Sequence, residues 1–98
     1  MTLPVLFRKA AWREAEDAAL WYEARRRGLG AEFLSEVDRG VRLLAENPTW
    51  FPHVHADIRC VRLRRFPYGL FFRAEAHRAI VVAVFHASRD PVVWRERP

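Results

Sequence analysis

The chain has 98 residues, 51% of them hydrophobic, and carries a net charge of +5. That length predicts a single domain, residues 1–98, and the apolar content argues against intrinsic disorder. No apolar run approaches the roughly 20 residues of a membrane-spanning helix, and the first residues lack the pattern of a cleavable signal peptide. The lone cysteine, Cys60, excludes an internal disulfide and suggests a cytoplasmic protein.

The positive charge is concentrated in the second half of the chain. Residues 1–50 hold eight basic and eight acidic side chains, whereas residues 51–98 hold nine arginines against four acidic side chains. Sixteen of the seventeen cations are arginine, whose planar guanidinium binds phosphate or carboxylate through paired hydrogen bonds. High-GC coding would explain that ratio equally well, but not the asymmetry between the halves. The asymmetry predicts an anionic partner for the C-terminal half.

The chain opens with a short strand and a helix. Residues 3–8 are apolar and contain Pro4, which lacks a backbone donor and therefore predicts an edge strand. Residues 11–22 then repeat alanine at helical spacing, with acidic side chains elsewhere on the wheel. Three arginines at 25–27 and the glycine at 28 predict the end of this helix, because cations and glycine both favour helix C-termini.

A second helix follows after a very short link. Its apolar stripe runs from Phe33 to Leu44, and Asn47-Pro48 predicts its end, since proline cannot continue a helix. Two amphipathic helices joined by a short link predict an antiparallel helical hairpin.

Beyond Pro52 the apolar period changes from 3.6 to 2, which predicts strands. Three strands are predicted, at residues 57–65, 70–74 and 79–86, with turns at residues 66–69 and 75–78. The last strand is apolar on both faces, as expected of a central position. Residues 92–97 then predict a short terminal helix or turn.

The predicted fold is α+β, in the order β-α-α-β-β-β with a short C-terminal turn or helix. The simplest assembly is a small antiparallel-rich sheet with the helical hairpin packed on one face. The other face, or the open edge of the sheet, would then carry the arginines.

Five short motifs follow one another along nearly the whole chain. They are Trp21-Tyr22-Glu23, the segment 28–34, Asn47-Pro48 with Phe51-Pro52, the segment 59–72, and the segment 86–91 with Trp94-Arg95. In this order and spacing they resemble the RelE/ParE superfamily of toxins from type II toxin–antitoxin systems. The resemblance is closest to the plasmid-stabilisation, ParE-like branch, and it implies the same element order that periodicity predicts.

The resemblance implies a growth-inhibiting toxin that needs no cofactor and is neutralised by a cognate antitoxin. ParE-like members inhibit DNA gyrase, and that is the preferred hypothesis. RelE-like members cleave mRNA in the ribosomal A site, so a metal-independent endoribonuclease is the alternative. A third hypothesis is an inactive module that keeps only the antitoxin interface.

Cleavage of RNA through its own 2′-hydroxyl requires a base, an acid and cations that hold the phosphate. If the protein cleaves RNA, the predicted catalytic residues are His86, Arg89 and Tyr68, because imidazole is the side chain that exchanges protons near neutral pH. Structural roles compete with this hypothesis. His86 would cap the strand, Arg89 would pair with Asp90, and Tyr68 would pack in a turn.

Several arginines of the strand region are candidates for binding the target or its phosphates. They are Arg59, Arg62, Arg64, Arg65, Arg73 and Arg89. Alternation of Arg62 and Arg64 with Val61 and Leu63 is also typical of the solvated face of a strand.

The antitoxin is expected to be acidic and to fold onto this chain through a disordered segment with apolar anchors, forming a hetero-oligomer. Residues predicted to contact it are Trp12, Trp21, Trp94, Arg62 and Arg95, since tryptophan is favoured at interface hot spots. A place in the core is the alternative for the tryptophans. No metal site is predicted, because His53 and His55, which bracket Val54 in a predicted loop, lack further ligands nearby.

Overall fold

The computed structural model describes residues 2–98. Its elements are β1 (Val5–Phe7), α1 (Lys9–Arg25), α2 (Leu29–Glu46), β2 (His53–His55), β3 (Ile58–Arg62), β4 (Tyr68–Ala74), β5 (Ala79–His86) and α3 (Val92–Arg95). Within these residues the strands form one sheet in the order β1-β5-β4-β3-β2. Strand β1 runs parallel to β5, and the other three pairs are antiparallel. The predicted α+β fold and the edge position of the first strand are confirmed.

The sheet contains one strand that the sequence pattern did not predict. Strand β2 pairs with β3 at His53 and His55, with an irregular register between them, so these histidines lie on an edge strand and not in a loop. The strand has only three residues and no apolar alternation, which is why the pattern missed it. Strand β4 begins at Tyr68, so Tyr68 and Gly69 belong to a strand where a turn was predicted.

The two long helices approach the sheet closely because small residues lie at their contacts. The face of α1 that packs on the sheet is made of buried alanines, namely Ala11, Ala15, Ala18 and Ala19. On α2, a Cβ at Gly40 would lie 2.8 Å from Cδ1 of Leu70, so a larger residue would require the Leu70 side chain on β4 to shift. No helix among residues 2–98 combines the length and the apolarity that crossing a membrane requires.

The link between α1 and α2 is held by the carboxylate of Glu23. It accepts hydrogen bonds from the backbone N–H of Gly28, at 3.0 and 3.1 Å, and of Gly30, at 3.0 Å. Gly28 has φ +89°, a left-handed conformation that glycine adopts without strain, and it has no side chain to cap α2. Glu23 therefore supplies the cap from the preceding helix. These bonds lower the pKa of Glu23 from its ordinary value of 4.5, because they favour the charged form.

The sheet separates two apolar clusters. The cluster under the helices includes Val81 and Val84, whereas Val82 and Ala83 both belong to the cluster on the opposite face. An irregularity in the β4–β5 register, which pairs residues 71 and 72 with residues 83 and 81, produces this departure from strict alternation. Strand β5 is consequently buried on both faces from Ala79 to Phe85, as predicted.

Beyond Val81, an ion pair takes the place of a strand beside β5. Pairing with β1 ends at Val81. The backbone groups of β5 that follow along this edge form hydrogen bonds with side chains instead. The Val84 N–H donates to Oε1 of Glu14 at 3.1 Å, and Nη1 of Arg97 donates to the Val82 carbonyl at 3.0 Å. Arg97 also donates two hydrogen bonds to Glu14, at 2.9 and 3.0 Å. The pair thus closes the edge of β5 and fastens the C-terminal segment to α1.

Replacing Glu14 by alanine is expected to lower the free energy of unfolding by about 2–4 kcal/mol, because a largely buried guanidinium and a backbone N–H lose their acceptor. Urea denaturation measures the change. The control is Asp38→Ala, which removes an exposed ion pair with Arg42 and should cost no more than about 0.5 kcal/mol. Equal losses in the two variants would contradict the assigned role of Glu14.

The cap provided by Glu23 predicts an acid-sensitive contribution to stability. Because its pKa is lowered in the folded protein, the stabilisation is complete above the ordinary value of 4.5 and is lost as the pH falls through the folded value. The wild type should therefore lose more stability than Glu23→Gln between about pH 6 and about pH 3. Urea midpoints across this range test the difference, and parallel curves for the two proteins would refute it.

Candidate functional site

A cleft of about 360 Å³ lies on the sheet face opposite the helical hairpin, beside α3. Six predicted site residues line it, namely Arg62, Tyr68, His86, Arg89, Trp94 and Arg95. We call it the arginine cleft, after Arg62, Arg89 and Arg95 on its walls. Its floor is formed by Cys60, Gly69, Phe71 and Phe85, and Trp94 of α3 closes one side.

Strand register and one turn bring these residues to the same end of the sheet. Arg62 lies opposite Gly69 across the β3–β4 pair, on the cleft face. Tyr68 lies opposite His86 across the β4–β5 pair, and the Tyr68 ring packs on the helical side against Phe33, so these two residues line the cleft only at its rim. After β5 the chain turns, with the Arg89 N–H donating to the His86 carbonyl at 3.1 Å. The turn returns the Arg89 guanidinium over the Phe85 ring, 4.7 Å from its centroid. Residues far apart in sequence therefore meet at the ends of three neighbouring strands.

Gly69, for which a turn was predicted, leaves room for the Cys60 thiol that packs over it in the floor of the cleft. A Cβ at this position would lie 2.7 Å from Sγ of Cys60, so no larger residue fits without displacing the thiol. A glycine inside a strand pattern was the available signal, because it often marks a close approach. Burial raises the pKa of Cys60 to about 11, partly opposed by Arg62, so the thiol stays neutral and the floor is apolar.

His86 is held in one tautomer by the turn that follows it. Its Nδ1 accepts the backbone N–H of Ser88 at 3.0 Å and lies 2.8 Å from the Ser88 hydroxyl. A backbone N–H can only donate, so Nδ1 is the acceptor and the proton of the neutral ring is on Nε2. No sequence pattern indicated this role for Ser88.

Tyr68 packs edge-to-face against His86, with ring centroids 5.2 Å apart. Burial is the main cause that raises the pKa of Tyr68, with a smaller contribution from Tyr22 and an opposing one from Arg89. The group is therefore a neutral phenol near pH 7, able to donate a proton but not to act as a base.

The three arginines of the cleft are exposed and have no carboxylate partner among residues 2–98. No aspartate or glutamate lines the cleft either. The site is thus a concentration of uncompensated positive charge over an apolar floor, and the structure brings together Arg62 and Arg89 from the predicted phosphate-binding set with Arg95.

The other predicted target-binding arginines lie outside this cleft. Arg59 donates to the Phe51 carbonyl at 2.6 Å, and Arg65 pairs with Glu32 at 2.6 Å. Arg73 pairs with Asp57 at 3.0 Å and donates to the Pro98 carbonyl at 2.8 Å. Arg64 is exposed, but it does not reach the cleft. Three of the four therefore have partners within the fold.

The tryptophans predicted to contact the antitoxin divide between surface and core. Trp12 and Trp21 on α1 are each 52% exposed. Trp94 is only 3% exposed and stacks on Phe71 at 4.3 Å, which is the core alternative considered for it. Its buried indole N–H has no hydrogen-bond partner within residues 2–98. A second groove, of about 320 Å³, passes Trp21 and shares Tyr68, His86 and Arg89 with the arginine cleft.

Metal-binding groups are not gathered at either groove. Across the part of the chain that the structure describes, no three His, Cys, Asp or Glu side chains are placed to hold a metal ion. His53 and His55 lie on β2 at the edge of the sheet.

Comparison with known proteins identifies the family. The family model described as the ParE toxin of the type II toxin–antitoxin system parDE matches residues 5–91. The chain therefore belongs to the ParE toxin family of type II toxin–antitoxin systems.

Solved structures share the fold. Eleven chains match, among them one from the chromosomal ParDE toxin–antitoxin system of P. aeruginosa. That match has a TM-score of 0.78 and 12% sequence identity, and it covers 89% of this chain and 98% of the other. No curated protein matches the sequence.

The neutral, partly buried state of Cys60 predicts low reactivity. In the native protein at about pH 8, iodoacetamide should alkylate Cys60 at least about tenfold more slowly than in guanidinium-unfolded protein, because the thiolate is the nucleophile. Mass spectrometry of timed samples measures both rates. Comparable rates in the two states would show that the thiol is accessible and that the floor of the cleft is open.

Proposed function

We propose that this protein is a growth-inhibiting toxin that acts on DNA gyrase and is neutralised by a cognate acidic antitoxin. The observation that carries the proposal is the match to the ParE toxin family over residues 5–91. ParE-like toxins inhibit gyrase, and they do so as binding proteins. The chain would act in the cytoplasm, where gyrase and DNA are found.

The protonation states in the arginine cleft support binding over RNA cleavage. Nδ1 of His86 is occupied by Ser88, and its Nε2 carries the proton. Tyr68 is a neutral phenol, and arginine does not release its proton in proteins. Among the side chains that line the cleft, none therefore offers the free basic group that activation of a 2′-hydroxyl requires. This arrangement suits a surface that holds its partner by charge and shape.

The charge distribution supports an acidic antitoxin. The cleft presents Arg62, Arg89 and Arg95 without carboxylate partners in the described chain. Trp12 and Trp21 add exposed apolar area on α1. An acidic segment with apolar anchors complements both features, and its binding would form a hetero-oligomer.

A ribosome-dependent endoribonuclease is the second candidate. One observation favours it, namely that His86 and Tyr68 share a cleft with Arg62 and Arg89. Phosphate-holding cations beside two proton-carrying side chains are the groups that RNA cleavage uses. Substrate binding would then have to release His86 from Ser88 before the imidazole could act as a base.

Induced expression of the complete chain without antitoxin separates these functions. We expect growth arrest with loss of negative supercoiling in a reporter plasmid, and inhibition of purified gyrase by stoichiometric protein. Co-expression of the antitoxin is the control and should restore both growth and supercoiling.

The alternatives give different results in the same cells. Normal supercoiling together with transcripts cut at defined positions, and loss of those cuts in His86→Ala, would establish the endoribonuclease instead. Normal growth with intact transcripts and unchanged supercoiling would leave only an antitoxin-binding module.

A further inference from the structure

We propose that a cluster of arginines at the tip of the helical hairpin binds the phosphate backbone of duplex DNA. The cluster consists of Arg25, Arg26 and Arg27 at the end of α1 together with Arg64 and Arg65 in the loop after β3. We call these five residues the hairpin tip. It is separate from the arginine cleft, since none of its arginines lines that cleft. That the bound DNA is the segment held by gyrase rests on the proposed function.

The carboxylate of Glu32 on α2 gathers two distant parts of the chain at the hairpin tip. Its Oε2 accepts a hydrogen bond from Nη2 of Arg26 at 3.1 Å, and its Oε1 accepts one from Nη2 of Arg65 at 2.6 Å. The bond from Arg65 is the main cause that lowers the pKa of Glu32, so the carboxylate is charged near pH 7. The α1–α2 link and the β3–β4 loop therefore present their arginines next to each other.

The hairpin tip carries more positive charge than the nearby carboxylates neutralise. Within residues 2–98, Glu32 is the one carboxylate that forms an ion pair with any of the five arginines. The next carboxylate along α2, Glu36, pairs with Arg39 at 2.7 Å instead. Even when the capping carboxylate of Glu23 is counted with Glu32, the five guanidiniums leave three positive charges. A surface with this excess attracts a polyanion.

The loop that carries Arg64 and Arg65 is held in a strained backbone conformation. Arg65 has φ +68°, in the left-handed region that residues other than glycine rarely adopt. Two carboxylates of α2 hold it there, because Glu36 accepts the Arg64 N–H at 2.6 Å and Glu32 accepts the Arg65 guanidinium. Strain of this kind clusters at binding sites. The loop is thus ordered before any ligand arrives, which lowers the entropy cost of binding.

The composition of the hairpin tip favours phosphate over an apolar ligand. Residues 25–32 and 64–67 include no exposed large apolar side chain, which a lipid surface or an amphipathic peptide would need as an anchor. The five arginines also lie outside the second groove, so they do not surround a pocket there. Guanidinium binds phosphate oxygens through paired hydrogen bonds, and an open surface can reach several phosphates of one backbone.

The aromatic rings beside the hairpin tip favour a duplex over a single strand. Single strands are bound by rings that are free to stack on bases. Here the Arg25 guanidinium covers one face of the Trp21 ring at 4.0 Å, and the 6% exposed ring of Phe66 lies under Arg65 at 5.5 Å. A duplex needs no such ring, since it presents about one phosphate charge per 1.7 Å of its axis. The proposed function selects DNA over RNA, because gyrase acts on duplex DNA.

Fluorescence anisotropy of the complete protein with a labelled DNA duplex of about 20 base pairs tests the proposal. Because each phosphate contact releases counterions, the logarithm of the binding constant should fall with the logarithm of salt concentration with a slope of about −4, as expected for roughly four or five contacts. Three other polyanions are compared at the same salt concentration. They are an RNA duplex of the same sequence, single-stranded oligothymidylate and poly-glutamate, and each should bind more weakly than the DNA duplex.

The double variant Arg27→Gln/Arg64→Gln locates the binding. Both side chains are exposed and form no ion pair in the described chain, so their loss should leave the fold intact. DNA binding should weaken at least about tenfold at about 50 mM salt, and the slope should fall by about 2. The matched control is Lys9→Gln/Arg13→Gln, which removes equal charge about 18 Å or more from Arg25 along α1. It should change the slope by less than about 0.5.

Three results would overturn the proposal. The first is equal weakening in the hairpin-tip variant and its control, which would show that only net charge matters. The second is a larger loss in Arg62→Gln/Arg95→Gln, which would assign DNA binding to the arginine cleft. The third is tighter binding of RNA, oligothymidylate or poly-glutamate than of the DNA duplex. Binding is measured without gyrase, so a protein that binds DNA as expected but leaves gyrase active would contradict the proposed function alone.

Discussion

Burial of β5 on both faces is the constraint around which the rest of the molecule is arranged. The strand is apolar from Ala79 to Phe85, so each face needs its own covering layer. The helical hairpin covers one face through small residues, and Trp94 on its short helix covers part of the other. Both coverings end near His86, where the strand emerges from the core. The arginine cleft lies at this boundary because apolar floor and solvated rim meet there.

The arginine-rich composition serves two physical roles that the sequence alone does not separate. Some guanidiniums stabilise the fold, as Arg97 does on the edge of β5 and Arg59 on the loop after α2. Others, such as Arg62 and Arg95, are exposed at the cleft with no acidic neighbour in its lining. The net positive charge available to a partner is therefore more local than the charge of the second half of the chain suggests.

The sequence predicted the elements with strong periodicity and failed where structure depends on distant partners. Both long helices and the three longer strands followed from apolar spacing. The edge strand at His53 did not, because three residues pairing at two positions leave no pattern. The arginines show the same limit. Arg65 pairs with Glu32, 33 residues away, and Arg73 with Asp57, 16 residues away, so their engagement is visible only in three dimensions.

In the candidate site, the sequence likewise predicted the chemically distinctive residues but not the residues that shape the site. Residue types pointed to His86 and Arg89 because these are groups that bind and transfer charge. The residues that shape the site, Gly69 and Ser88, carry no such chemistry, and their roles come from a close approach and from one hydrogen bond. The residue type of Trp94 is equally compatible with a place in the core and with a place at an interface. Its packing against Phe71 shows that it belongs to the core.

The short strands at the two edges of the sheet bear on whether the protein aggregates when it unfolds. Both edge strands, Val5–Phe7 and His53–His55, have only three residues, which leaves little backbone for another chain to pair with. Between them lies the uncharged segment Ala79–Phe85, rich in valine, whose composition is typical of strands that assemble into fibrils. The folded chain encloses this segment completely. Once unfolded, however, the chain exposes this segment. Refolding then competes with aggregation, whose rate increases with protein concentration.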